Sequence, residues 1–276
     1  MKSKILFWHI PKTGGAYTGG SLKRLALRSP SRFEFTRIGH EFCRYMNKDL
    51  IERDYPGFTW SDWDDCYKFT TARDPLQRVI GTYFWQEKWC PGSRGRKPKS
   101  ESTHSWTTSV GRWEDWNETC AKYGIRDIKS FLDNYKALYY NDIHIQPDRL
   151  EEHNSIWIEY RWKSPEEPTK HWSKEQAADH HHTRAIQKSF WRQFTYPQWW
   201  FVCDDDKKIL VDKVVKSKDI DRFLRAKFHL QFDQPVNRNA HDHSNDDYLL
   251  YTSKQNRKDI YEIYEDDYRI FDFDYN

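Results

Sequence analysis

Lys12, Thr13, Gly14 and Gly15 stand between the apolar run Ile5-Leu6-Phe7-Trp8-His9-Ile10 and a segment in which Leu22, Leu25 and Ala26 recur at helical spacing. A lysine beside paired glycines at the entrance of a helix is an anion-holding arrangement. Glycines let the backbone come close, the first N–H groups of the helix point at the ligand, and the ammonium adds a full charge. The chemistry this predicts is binding of a phosphorylated ligand. The lysine precedes the glycines, so the segment is not a Walker loop, in which lysine and a hydroxyl residue follow them. A second cation stands in a like position. Tyr67-Lys68-Phe69-Thr70-Thr71 reads as a strand that ends at Ala72-Arg73-Asp74-Pro75. Asp74 suits a helix N-cap and Pro75 a first helical position. Leu76, Val79, Ile80, Tyr83 and Phe84 then share one helical face. Arg73 falls at the mouth between strand and helix, where a guanidinium can grip an anion.

These turns need strands and helices to carry them. The run 5–10 is short, β-branched and aromatic, which suits a central strand of a parallel sheet covered on both faces. With 276 residues, one domain spanning 1–276 with insertions at about 87–123 and 163–184 is expected. Lys and Arg number 45 against 42 Asp and Glu, a balance too even to point to nucleic acid or a membrane as partner. Phe, Trp and Tyr make up 17% of the residues, 14 of them Trp, so the core should be rich in rings. The five cysteines are scattered without a C-x-x-C pair, which argues against a disulfide framework or zinc knuckle. No stretch reaches the length of a membrane span and the first residues lack the layout of a signal peptide. A cytoplasmic location is expected. No metal is expected either, because the adjacent His180, His181 and His182 cannot all face one ion. Residues 87–123 read as a long loop. In it Arg94, Arg96, Lys97 and Lys99 would attract acidic groups, while Trp89, Trp106, Trp113 and Trp116 either stack on sugar faces or pin the loop to the body.

HIPKTGG together with FTTARDPLQRVIGTYF resembles the paired signature of sulfotransferases that use 3′-phosphoadenosine 5′-phosphosulfate (PAPS), in the branch similar to heparan and chondroitin sulfate sulfotransferases. Further along, NDIHIQPDRL resembles the family's H-x-x-P-Q segment, WWFVCDDDKKILVDKVVKSKDIDRFL its late hairpin and helix, and residues 246–275 its closing helix. The resemblance implies an α/β fold with a P-loop-like central parallel sheet flanked by helices, and a nucleotide outside the carboxyl ends of the strands. It implies that the loop of Pro11, Lys12, Thr13, Gly14 and Gly15 holds the 5′-phosphosulfate. Ala16 and Tyr17 stand where the family has Thr or Ser, so the hydroxyl on the 5′-phosphate either comes from Thr18 or is missing. Arg73 would hold the 3′-phosphate, with Gly81 in the place of the family's serine. Arg238, in the late loop PVNRNAHDHSNDDY, would reach the donor. His40, in RIGHEFCRYM, matches the Gly-His element that supplies the general base, with Glu41 and His144 as substitutes. The activity implied is metal-free sulfuryl transfer, with Lys12 on the developing charge and a hydroxyl of a glycan or glycosylated metabolite as acceptor. Two other readings stay open: a catalytically weakened glycan-binding module on the same fold, and a P-loop nucleotide kinase.

Overall fold

Strand β1 (Ser3–His9) is buried from Ile5 onward and takes parallel partners on both edges, as its unbroken apolar run requires. Its neighbours are β2 (Phe33–Gly39) and β3 (Tyr67–Ala72), and β3 pairs in parallel with β4 (Lys213–Lys216). The order β2-β1-β3-β4 gives an α/β fold built on a central parallel sheet. The computed structural model describes residues 3–39, 41–55, 58–89, 110–144, 190–230 and 250–275. The chain divides into two compact units, one comprising 1–75, 197–247 and 264–276 and the other 76–196 and 248–263.

The sheet unit packs helix α1 (Gly15–Arg28), α2 (Lys48–Asp54) and α3 (Trp60–Asp65) around β1 to β3. Period-two alternation sends Ile5 and Phe7 to one face, where they meet Leu22 of α1, Phe69 of β3 and, further along the chain, Val215, Ile220, Leu224 and Phe228. Phe69 lies 5.2 Å from Phe7 and 5.9 Å from Phe228, ring centre to ring centre, so the core is as ring-rich as the composition predicts. On the other face Trp8 meets the edge of Trp63 at 5.7 Å, and its indole N–H donates to the Glu41 carbonyl at 2.9 Å. Thr59 and Asp62 close a capping box at the start of α3, and Asp62 also pairs with Lys4.

The second unit takes α4 (Pro75–Trp89) from Leu76 on, with α5 (Val110–Tyr123), α6 (Ile128–Asp133) and α7 (Tyr135–Leu138). A loop is expected across 87–123, but residues 110–123 are helical. Trp116 is completely buried, 6.2 Å from the Tyr83 ring and 6.1 Å from that of Phe131. It is a core residue and not a sugar platform. Of the other features of that stretch, Arg94, Arg96, Lys97, Lys99 and Trp106 lie outside the described residues, as does the segment 163–184.

The late hairpin is reduced. Residues Trp199–Val202 form a short helix, α8, and the antiparallel return is a single bridge between Cys203 and Ile209 before β4 begins. Helix α9 (Ile220–Phe228) follows β4 and presents Ile220, Leu224 and Phe228 to the sheet. The closing helix is two helices, α10 (Lys254–Ile263) in the second unit and α11 (Glu265–Ile270) in the sheet unit.

Candidate functional site

The first strand-to-helix turn departs from ordinary backbone at two positions. Lys12 has φ 65° and Gly14 φ 91°, both in the left-handed region. Glycine adopts that conformation at no steric cost, whereas lysine does so only where its surroundings hold it there. Gly14 is the N-cap of α1; no side chain caps this end and no acidic residue stands in its first turn. The start of the helix therefore keeps its partial positive charge for a ligand. Gly15 is needed for a different reason. A Cβ there would lie 1.6 Å from Cδ2 of His9, whose ring is laid directly against the backbone of the turn. Arg37 of β2 bonds to Nδ1 of that ring. A guanidinium can only donate, so Nδ1 accepts and the His9 proton sits on Nε2.

Thr13 is fully buried. Its hydroxyl donates to the Ile10 carbonyl at 2.8 Å and lies 2.9 Å from the hydroxyl of Thr71. That contact fastens the turn after β1 to the end of β3. The sheet order gives the same location a topological meaning: β1 leads through α1 to β2 on one side, and β3 pairs on the other. The strand order thus reverses between β1 and β3, and in open α/β sheets ligands bind outside the carboxyl ends at that switch point. Lys12 follows β1 and Arg73 directly follows β3, so both leave the sheet at its carboxyl end, from neighbouring central strands.

Arg73 is held by its backbone. Its N–H donates to Oε1 of Gln198 at 2.8 Å and its carbonyl accepts from Nε2 of Gln198 at 2.7 Å. Its half-buried guanidinium makes no hydrogen bond or ion pair among the described residues. Gln198 is in turn fixed by Asp267, and both are completely buried. Neither gives a sequence signal, because they lie 125 residues beyond Arg73 and 69 further on.

The remaining predicted positions divide. Pro11 is buried and Ala16 exposed within the same turn. Tyr17 faces away from the turn: its hydroxyl donates to Asp221 of α9 and its ring packs on the core. Burial and that carboxylate push its phenol well above the ordinary range. The Thr18 hydroxyl is directed at the Gly14 carbonyl of its own helix at 3.2 Å. Gly81 belongs to α4 in the second unit, and the hydroxyl beside it, that of Thr82, donates to the carbonyls of Arg78 and Phe194. His40 and Arg238 lie outside the described residues. Gly39 pairs with His9 at the end of β2, and Glu41 is buried in the sheet unit. His144 belongs to the second unit, beside the Tyr139 ring.

No group of three His, Cys, Asp or Glu among the described residues could hold a metal, and His180, His181 and His182 lie outside them. Cys43, Cys66, Cys120 and Cys203 are free and buried. Burial pushes the thiols of Cys43 and Cys203 up to about 12 and that of Cys66 to about 11, so these three are poor nucleophiles at neutral pH. No described helix is long and apolar enough to cross a membrane.

The half-buried Lys12, the exposed Gly14, the buried Gly15 and the uncapped start of α1 follow β1, and Arg73 stands just past the neighbouring strand β3; a glycine turn, cations and a helix start are the features that suit an anionic group. Residues 1–274 match the family model described as the Sulfotransferase family. No curated protein and no solved structure matches the chain. With nearly its whole length inside that match, the chain belongs to the Sulfotransferase family.

Proposed function

We propose that this sulfotransferase uses PAPS as donor and a carbohydrate hydroxyl as acceptor. The observation that carries the reading is the emergence of Lys12 and Arg73 from adjacent parallel strands at the carboxyl end of the sheet, with Thr13 and Thr71 in contact between them. A nucleotide with phosphate at both the 3′ and 5′ positions offers two anionic ends to two such cations. Sulfuryl transfer is an in-line displacement: the acceptor oxygen attacks sulfur and the bond from sulfur to the bridging phosphate oxygen breaks. As in phosphoryl transfer, the protein positions the partners and neutralises charge. Lys12 and the first N–H groups of α1 meet the charge that grows on the leaving phosphate oxygen, which is stabilisation of the oxyanion-hole kind. His40 takes the proton of the attacking hydroxyl. Arg73 holds the 3′-phosphate. The Tyr17 hydroxyl is engaged with α9 and that of Thr18 with its own helix, so the 5′ end relies on backbone N–H groups and Lys12.

The direct test supplies purified protein with PAPS and a panel of desulfated glycans and measures release of 3′,5′-adenosine bisphosphate. Turnover is expected without added metal. Lys12→Ala should lower kcat by about 10²–10³-fold and His40→Ala by about 10²–10⁴-fold. Binding of the bisphosphate without turnover on any acceptor would favour a glycan-binding module, and magnesium-dependent ATP turnover a nucleotide kinase. A His40→Ala variant with most of its turnover intact would pass the base role to Glu41.

A further inference from the structure

We propose that Gln198 and Asp267 are positioning residues for Arg73, fixing its backbone so that the guanidinium meets the 3′-phosphate of the donor; the inference rests on the donor reading given above. The paired register between β3 and β4 ends at Ala72 and Lys216, so Arg73 is the first residue past the ladder. Both of its backbone polar groups then go to one side-chain amide, with the N–H on Oε1 at 2.8 Å and the carbonyl on Nε2 at 2.7 Å. Gln198 stands in for the next residue of an adjacent strand.

An amide can pair this way in only one orientation, and Asp267 sets it. Its Oδ2 accepts from Nε2 of Gln198 at 3.3 Å and from the Gln198 backbone N–H at 2.8 Å, while Oδ1 accepts from the Trp199 N–H at 2.9 Å. Both hydrogens of the amide nitrogen are then in use, one on Arg73 and one on Asp267. A flipped amide would turn its oxygen toward a carboxylate. A carboxylate removed from water is costly unless donors surround it, and here three N–H groups do so at the place where their geometry is passed to Arg73. The cation itself keeps no protein partner among the described residues. Its backbone is tied down while its charged end stays available.

Isothermal titration of the full chain with 3′,5′-adenosine bisphosphate and, separately, with adenosine 5′-monophosphate tests this, because the ratio of the two affinities reads the 3′-phosphate contact alone. Gln198→Met, which keeps the shape and removes the hydrogen bonds, should weaken the bisphosphate about tenfold and leave the monophosphate within about twofold. Adding Gln198→Met to Arg73→Ala should cost nothing further, since the contact is already gone. Where Gln198→Met is too unstable to purify, Asp267→Asn frees the amide to flip and should lower the same ratio. An unchanged ratio in these variants, or an equal loss for both ligands, overturns the proposal. A wild-type protein that does not prefer the bisphosphate removes the donor reading, and the proposal with it, a result visible before any variant is made.

Discussion

Gly15 and Gly20 lie in the same helix and face opposite demands. A Cβ on Gly15 would occupy the space of the His9 ring, at 1.6 Å from Cδ2 and 2.1 Å from Nε2, whereas one on Gly20 would meet nothing within 4 Å. Gly15→Ala must therefore push His9 off Arg37 or move the turn that carries Lys12. We expect it to cost about 1–3 kcal/mol in urea unfolding, as over-packing does, and to abolish detectable titration with 3′,5′-adenosine bisphosphate. Gly20→Ala should instead stabilise by about 0.5–1 kcal/mol, because alanine loses less freedom on entering a helix, with ligand binding unchanged. The two substitutions share a helix and a chemistry, so the contrast isolates the His9 contact.

Among the elements, α4 departs most from its sequence pattern. The apolar face of Val79, Ile80 and Tyr83 is buried, as its spacing predicts, but so is the polar stripe of Arg78, Thr82 and Gln86. Arg78 donates to the Tyr196 carbonyl at 2.5 Å and to that of Gln193 at 3.5 Å. The second arginine of the Arg-Asp-Pro element is thus a structural tie, in contrast to Arg73. Polar residues at helical spacing ordinarily mark a solvated face; here carbonyl groups of the segment Phe190–Thr195 and of Tyr196 receive Arg78 and Thr82 in place of water. Helix α5 gives the complementary case. Trp116 is completely buried and its indole N–H donates to Glu87 at 3.2 Å. Trp116→Ala should cost about 3–5 kcal/mol, read as a lowered urea midpoint. If the stability is unchanged, α5 is not part of the second unit's core.

For the molecule as a whole, pH dependence follows from carboxylates held below their ordinary value of 3.8. The Lys4 ammonium and the Thr59 N–H do this to Asp62, and the Ser130 N–H and hydroxyl do it to Asp127. At Asp266, burial works the other way but is outweighed by Lys207 and Arg269. Each such group binds its proton more readily in the unfolded chain. Its contribution is therefore fully present above the unfolded value, and is lost as pH falls through the lower folded one. The thermal midpoint should be flat from pH 7 to 5 and decline below about pH 4, as followed by circular dichroism. A decline that starts near pH 6 would point to histidines instead.

The strands 3–9 and 67–72, the turns after them and the helices that follow were legible in the chain, because each rests on a local signal: an apolar run, a glycine pair, a proline at the first helical position. Local signals fail where the partner is remote. Nothing near Thr13 or Tyr17 marks one hydroxyl as bound to Thr71 and the other to Asp221, and nothing near Arg73 announces Gln198 or Asp267. Trp116 has the composition of a loop on one side and becomes a core residue only because Tyr83 and Phe131 converge on it. The amino acids thus supplied the charges and the places where the backbone can turn. Which side chains are consumed in packing and hydrogen bonds was set by the folding together of segments as much as 204 residues apart, since a hydrogen bond depends on distance in space and not along the chain.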